Sequence, residues 1–461
     1  MSDILALTAR ETLTAFAQKR LSPVEYMQAL IARIARREPQ LAALYAYRPE
    51  AALAEARASE GRWMRQAPIG PLDGMPVTVK ELIATKGDPV PMGTAASDLV
   101  PAAADAPTAA RLREDGAIIF AKTTSPDYGM LSSGLSSFHP LSRNPWNLSQ
   151  NPGGSSAGAA AAAAGGYGPL HIGTDIGGSI RLPAGWTGIF GLKPSYGRVP
   201  IDPYYTGRVA GPMTRTVDDA ALLMASITRP DARDATALAY EALDWTGAVA
   251  ELRGMRIGLM LDAGCGTAAD PEVLAAVEQA AAVFATLGAT IIPLRPVLTR
   301  AMLDGLDLAW RARFWGLMAG LSAARRDRIL PYILDWARAG ALARPEQVAE
   351  GFEQTFAMRR ACAAAFEDCD AILSPVNPDL SYPAEWPSPS NDPARPFEHI
   401  CYTVPWNMGE QPAASLNCGF SRGGMPIGLQ IIGPRFADLR VMALAKAYET
   451  VRGPMLWPEM G

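Results

Sequence analysis

Histidine is nearly absent from this chain: His139, His171 and His399 are the three in 461 residues. They are scattered, with no H-E-x-x-H and no close pair, so no metal centre is expected. Cysteine is scarce too. Cys265, Cys362, Cys369, Cys401 and Cys418 are odd in number and contain no C-x-x-C, which argues against a disulfide framework or zinc site and fits a reducing compartment. Charge of either sign is not in excess, with 42 basic residues against 46 acidic ones. Nothing there suggests a nucleic-acid or anionic-membrane footprint. The start, MSDILALTARETL, lacks the basic opening and apolar core of an export signal, so a cytoplasmic location is expected. One uncharged run, Asn144–Thr174, is long enough to span a bilayer, but it consists mostly of Ala, Gly and Ser with internal prolines. That composition does not favour insertion.

What is present fits a globular enzyme: 49% hydrophobic residues, 19% charged, 42 glycines and 39 prolines. Ser22-Pro23-Val24-Glu25 places a capping serine, a first-position proline and a third-position glutamate, predicting a helix over about 23–37, and a second is expected over about 49–65. Strands are predicted at Met75–Lys80 and Ala117–Lys122 around a helix near Thr108–Asp115, and Thr123–Gln150 reads as an ordered surface loop. Leu182–Arg198 reads as short strand and turn pieces, and Val217–Ile227 as helix. From 256 the pattern runs strand, helix, strand to Leu294, a βαβ-like unit. A run of helices fills 300–368, then come a strand at Asp370–Ser374, a hairpin from Ala413–Cys418 and Pro426–Ile432, and a closing helix over about 438–451. The expectation is an α/β fold with a mixed, mostly parallel twisted sheet covered by helices on both faces. It forms one domain over 1–461: helices in 1–65, a core in 66–220 and a helical excursion in 298–368 that covers a site.

The densest signal is Asn151–Arg181, NPGGSSAGAAAAAAGGYGPLHIGTDIGGSIR, where Ser155 follows Gly153-Gly154 and Ser179 follows Gly177-Gly178. Glycine pairs before serine allow dihedrals closed to other residues and turn successive N–H groups into one concavity, suited to an anion or a developing oxyanion. Lys80 ends an apolar strand; if buried, its amine would lose charge readily and could act as a base. Rival readings fit less well. Gly154-Ser155-Ser156-Ala157-Gly158 matches G-x-S-x-G with Ser156 as nucleophile, but Leu148–Pro152 before it is no apolar strand. No phosphate loop of the form G-x-x-x-x-G-K-[ST] occurs.

The stretches GMPVTVKELI, AKTTSPDYGM, RNPWN, PGGSSAG and GTDIGGSIRLPAGWTGIFGLKPSYGRVP resemble the amidase signature family in wording and spacing over about residues 70–215, and Pro412–Gly433 more loosely. Ala157 stands where many members have glycine. The resemblance implies Ser179 as nucleophile, Ser155 as a bridging serine after a cis peptide at Gly154, and Lys80 as general base. It also implies an oxyanion hole from the N–H groups of Ile176, Gly177, Gly178 and Ser179. Ser156 is expected to support the network, and Asp175 and Arg181 to hold the turn. The implied activity is hydrolysis of linear C–N bonds of a small-molecule amide or carbamate, urethanase-like, without cofactor, by a monomer or homodimer. A pocket of aryl or alkyl selectivity is expected from Tyr204, Trp310, Phe314, Trp315 and Trp336. Similar chains serve as the glutaminase subunit of a tRNA-dependent amidotransferase, which is the alternative.

Overall fold

The computed structural model describes residues 3–460; Met1, Ser2 and Gly461, which the expected domain over 1–461 includes, lie outside the described residues. Eleven strands form a single sheet. In chain order they are β1 (Leu44–Tyr45), β2 (Pro76–Lys80), β3 (Ile118–Thr123), β4 (Leu170–Asp175), β5 (Phe190–Lys193), β6 (Val209–Thr214), β7 (Arg256–Leu259), β8 (Thr290–Pro293), β9 (Ala371–Pro375), β10 (Ala413–Phe420) and β11 (Pro426–Ile432). Across the sheet the order is β1-β3-β2-β4-β6-β5-β10-β11-β9-β7-β8. Fourteen α-helices surround it among the described residues.

The mixed α/β expectation holds, but the expected parallel majority does not. β2 runs parallel to β3 and β4, and β7 to β8 and β9, while the other six pairs are antiparallel. Five of the antiparallel pairs form the centre, because β6 and the β10–β11 hairpin return the chain between the two parallel groups, and the sixth, β1–β3, lies at one edge. Every residue of β2, β4 and β6 is buried, as expected of strands covered on both faces.

Two further expectations are corrected. Leu182–Arg198 does not start as strand: Arg181–Thr187 is a helix, followed by β5. The Thr123–Gln150 loop is ordered but is largely inside the molecule, with Asp127, Ser133 and Ser142 all buried. The helices Arg300–Met318, Ala323–Arg326, Pro331–Arg338 and Pro345–Ala364 occupy the expected excursion. No helix of the described residues is long and apolar enough to cross a membrane.

The helix Ala157–Gly165 is buried along its whole length. Its alanines and glycines carry almost no side chain, so its backbone can lie against the sheet and the β1 segment. A Cβ on Gly158 would sit 2.3 Å from the Ala43 carbonyl oxygen and 2.4 Å from the Thr124 nitrogen. Neither backbone can yield cheaply, so Gly158→Ala is expected to destabilise by about 1–3 kcal/mol. Gly316→Ala, in a helix with nothing within 4 Å of the added carbon, is expected to be neutral or to stabilise by roughly 0.5–1 kcal/mol. Melting temperatures of the two variants check the contrast.

Candidate active site

Lys80 is the last residue of β2, and Asp175 the last of β4. The two strands are parallel neighbours with Val79 opposite Ile172, so both chains leave the sheet at the same edge. Carboxyl ends of parallel strands are where such sheets build ligand crevices. Lys80 is wholly buried. Its Nζ lies 2.7 Å from Ser155 Oγ and 3.1 Å from Ser156 Oγ. Burial first, and the positive charge of Arg208 second, bring its pKa down from the usual lysine range to about 7, against the opposing pull of Glu81 and Asp175. The amine is therefore partly neutral near physiological pH.

Ser155 and Ser156 stand at the entrance to the small-residue helix, and the Gly154–Ser155 peptide is cis. Ser156 faces inward. Its Oγ donates to the Thr174 carbonyl at 3.2 Å and accepts from the Thr174 N–H at 3.3 Å, tying this helix entrance to the end of β4. It has no histidine partner, so the G-x-S-x-G reading has no support in the geometry.

The chain then turns from β4 into the helix Arg181–Thr187, and Asp175 organises that turn. Its carboxylate accepts from the backbone N–H groups of Gly178 at 2.8 Å, Ile180 at 3.1 Å and Arg181 at 3.4 Å. It also accepts from Arg181 Nε and Nη2, both at 3.0 Å, and from Asn407 Nδ2 at 2.8 Å. Burial alone would raise its pKa, but the Arg181 guanidinium outweighs this and holds the carboxyl well below the usual range. Gly178 takes φ +127°, a backbone conformation that favours glycine.

One expectation is corrected by these bonds. The N–H of Gly178 is engaged by Asp175 and is not free to meet an oxyanion. The N–H groups of Ile176, Gly177 and Ser179 have no acceptor among the described residues. Three unpaired donors in one turn can bind a developing oxyanion. Ser179 itself is half-buried, and its hydroxyl has no hydrogen-bond partner among the described residues.

Two cavities meet at Ser179. The first is walled by Met130, Leu131, Leu182, Trp310, Trp336 and Phe397, with Ser132 and His399 as polar points. The rings are set edge-on: Trp310 and Phe397 lie 5.0 Å apart at 85°, and Trp336 and Phe397 5.4 Å apart at 75°. Burial keeps His399 neutral, with a pKa lowered to about 3, and its Nε2 lies 2.7 Å from Ser132 Oγ. The second cavity is lined by Ser155, Ser179, Tyr128, Tyr205, Arg208 and Arg313, among others. Phe314 lines this second cavity and Trp310 lines both. Trp315 lines neither cavity; it packs in the surrounding apolar cluster. Tyr204 lines neither and is 42% exposed, while its neighbour Tyr205 lines the second.

Several site residues carry no local signal in the sequence. Asn407 and Gln430 grip Arg181 from far along the chain, Nη2 donating to Asn407 Oδ1 at 2.5 Å and Nη1 to Gln430 Oε1 at 2.7 Å. Thr403 donates to the Gly177 carbonyl at 2.7 Å. The aromatic-rich segment Cys401–Met408 is the one hint that this part of the chain returns to the site. No cluster of three or more metal-ligating side chains occurs among the described residues.

Comparison with known proteins bears on the family and the fold. The family model described as Amidase matches residues 25–442. The chain is 33% identical to a glutamyl-tRNA(Gln) amidotransferase subunit of Chloroflexus aggregans, over 98% of this chain and 97% of that one. It is 34% identical to the protein of the same name from Symbiobacterium thermophilum, over 95% of each. Among solved structures it is similar to a bacterial aryl acylamidase of the amidase signature enzymes family, with 31% identity, a TM-score of 0.88 and 96% of each chain covered. The chain belongs to the amidase signature family, hydrolases of amide C–N bonds.

Proposed function

We propose that this chain hydrolyses amides with an apolar aryl or alkyl acyl group through a Ser179 acyl-enzyme, with Lys80 as base and Ser155 as relay. The observation that carries this reading is the buried Lys80 amine, 2.7 Å from Ser155 Oγ, behind a cavity that Ser155 and Ser179 share. Ser179 Oγ attacks the carbonyl carbon as its proton passes to Ser155, whose own proton passes to neutral Lys80. The C–O bond forms, and negative charge on the carbonyl oxygen meets the N–H groups of Ile176, Gly177 and Ser179. One such donor contributes roughly 2.7–4 kcal/mol to lowering the barrier. The C–N bond then breaks, and the proton returns from Lys80 through Ser155 to the departing nitrogen. Water repeats the sequence on the acyl-serine, releasing the acid and restoring Ser179. Anilides, carbamates and esters are open to the same attack, and the aromatic walls of the first cavity support an aryl or alkyl acyl portion.

The names of the curated relatives weigh toward a second reading, a glutaminase subunit of a tRNA-dependent amidotransferase. The chemistry of the walls weighs against it. Glutamine brings an ammonium beside its carboxylate. Among the residues lining the two cavities the one carboxylate is Asp175, already taken by Arg181. Nothing anionic is left to meet that ammonium.

Three outcomes are expected. Lys80→Met should lower kcat/KM for an acyl p-nitroanilide by about 10²–10⁴, and Ser179→Ala by at least that, with folding intact by near-UV circular dichroism. For the wild type, kcat/KM should fall about tenfold per pH unit below about 7, because protonation of Lys80 removes the base; a flat acid side would count against Lys80. In a substrate panel without partner proteins, the anilide should be cleaved far faster than glutamine. Glutamine hydrolysis alone, or activity appearing only with added partner proteins, would favour the second reading.

A further inference from the structure

Arg208 follows Tyr205 in the turn before β6 and is only 5% exposed. A guanidinium so enclosed is normally paired with a carboxylate. This one is not. Its side chain donates to the Pro203 carbonyl, and no Asp or Glu forms an ion pair with it among the described residues. Arg313, on the helix Arg300–Met318, also has no carboxylate partner among the described residues. It stacks on the Tyr205 ring with its Cζ 3.8 Å from the centroid, and Arg208 Cζ lies 5.2 Å from the same ring. Both arginines line the second cavity beside Ser155 and Ser179.

We propose that this cavity is a carboxylate subsite in which Arg208 and Arg313 bind an anionic group on the amine portion of the substrate, so that the preferred substrates are N-acylated amino acids or aminobenzoates. This rests on the acyl-enzyme reading above, because the relay decides which portion lies where. Ser155 delivers the proton to the leaving nitrogen, and Ser155 lines the arginine cavity but not the aromatic one. The leaving amine therefore sits with the arginines and the acyl group with the tryptophans. Planar guanidinium forks match carboxylates bidentately. A bound carboxylate would also supply the counter-charge that the enclosed Arg208 lacks.

The test compares three anilides: 4-(butanoylamino)benzoate, its neutral 4-acetyl counterpart, and succinanilate, which carries its carboxylate on the acyl side. The wild type should favour the benzoate over the ketone in kcat/KM by at least about tenfold, mainly through KM. That ratio should collapse in Arg313→Gln and in Arg208→Gln and be partly kept in the lysine variants. Arg313 is exposed, so its variant is expected to fold even if Arg208→Gln does not. Equal rates for benzoate and ketone, or a ratio unmoved in Arg313→Gln, would overturn the subsite; a preference for succinanilate would overturn its assignment to the amine side. If no anilide is cleaved, the acyl-enzyme reading fails separately. Calorimetric binding of 4-aminobenzoate to Ser179→Ala then decides the subsite: it stands if binding is lost in Ser179→Ala/Arg313→Gln, and falls if there is none to lose. Equal displacement by inorganic phosphate would overturn the carboxylate class.

Discussion

The site depends on one buried carboxylate. Asp175 sits where β4 ends, and taking it out of water costs several kcal/mol unless every lone pair is answered. Three backbone N–H groups, a guanidinium and an amide answer it. Satisfying Asp175 divides the amides of the turn into two sets. Those of Gly178, Ile180 and Arg181 turn inward to the carboxylate, and those of Ile176, Gly177 and Ser179 are left without an acceptor. The donors proposed to meet the oxyanion are thus left over from the bonds that hold the turn.

The same edge of the sheet holds opposite charge states side by side. Asp175 is kept ionised by Arg181, whereas Lys80 has hydroxyls and no carboxylate as hydrogen-bond partners, so the more distant charges of Glu81 and Asp175 offset its loss of hydration only in part. Arg208 deepens the difference, disfavouring the protonated amine. A carboxylate hydrogen-bonded to Lys80 would have made an ordinary ion pair and kept the amine charged.

The glycine-framed serines and the strand-ending lysine were legible because their signals are local: a few adjacent residues impose the turn. What stayed hidden is what other parts of the chain bring in. Gln430 reaches the site across the fold with no pattern around it; Arg208 and Asn407 lie in the aromatic-rich segments Tyr204–Arg208 and Cys401–Met408, which suggest a pocket wall but not what these two side chains do there. β6 escaped notice because VAGPMT carries Gly211 and Pro212, which ordinarily demote a strand, yet Pro212 lies opposite Ile172 inside the sheet. The helix Arg181–Thr187 was obscured in the same way by Pro183 and Gly185. Among the aromatics, Trp310 and Phe314 are four apart and share a helix face, while Trp315 is turned about 100° further round and misses the cavity.

Arg181 is held by Gln430, 249 positions later in the chain, and β11, which carries Gln430, lies between β10 and β9. A nascent polypeptide still attached to the ribosome before that strand emerges cannot complete the guanidinium's set of bonds, nor close the sheet. Catalytic competence therefore arrives late and all at once, so turnover reports that synthesis has passed residue 430. A stop between residues 179 and 430 would leave a chain that contains Lys80, Ser155 and Ser179 but lacks the strand that completes the set of bonds to Arg181.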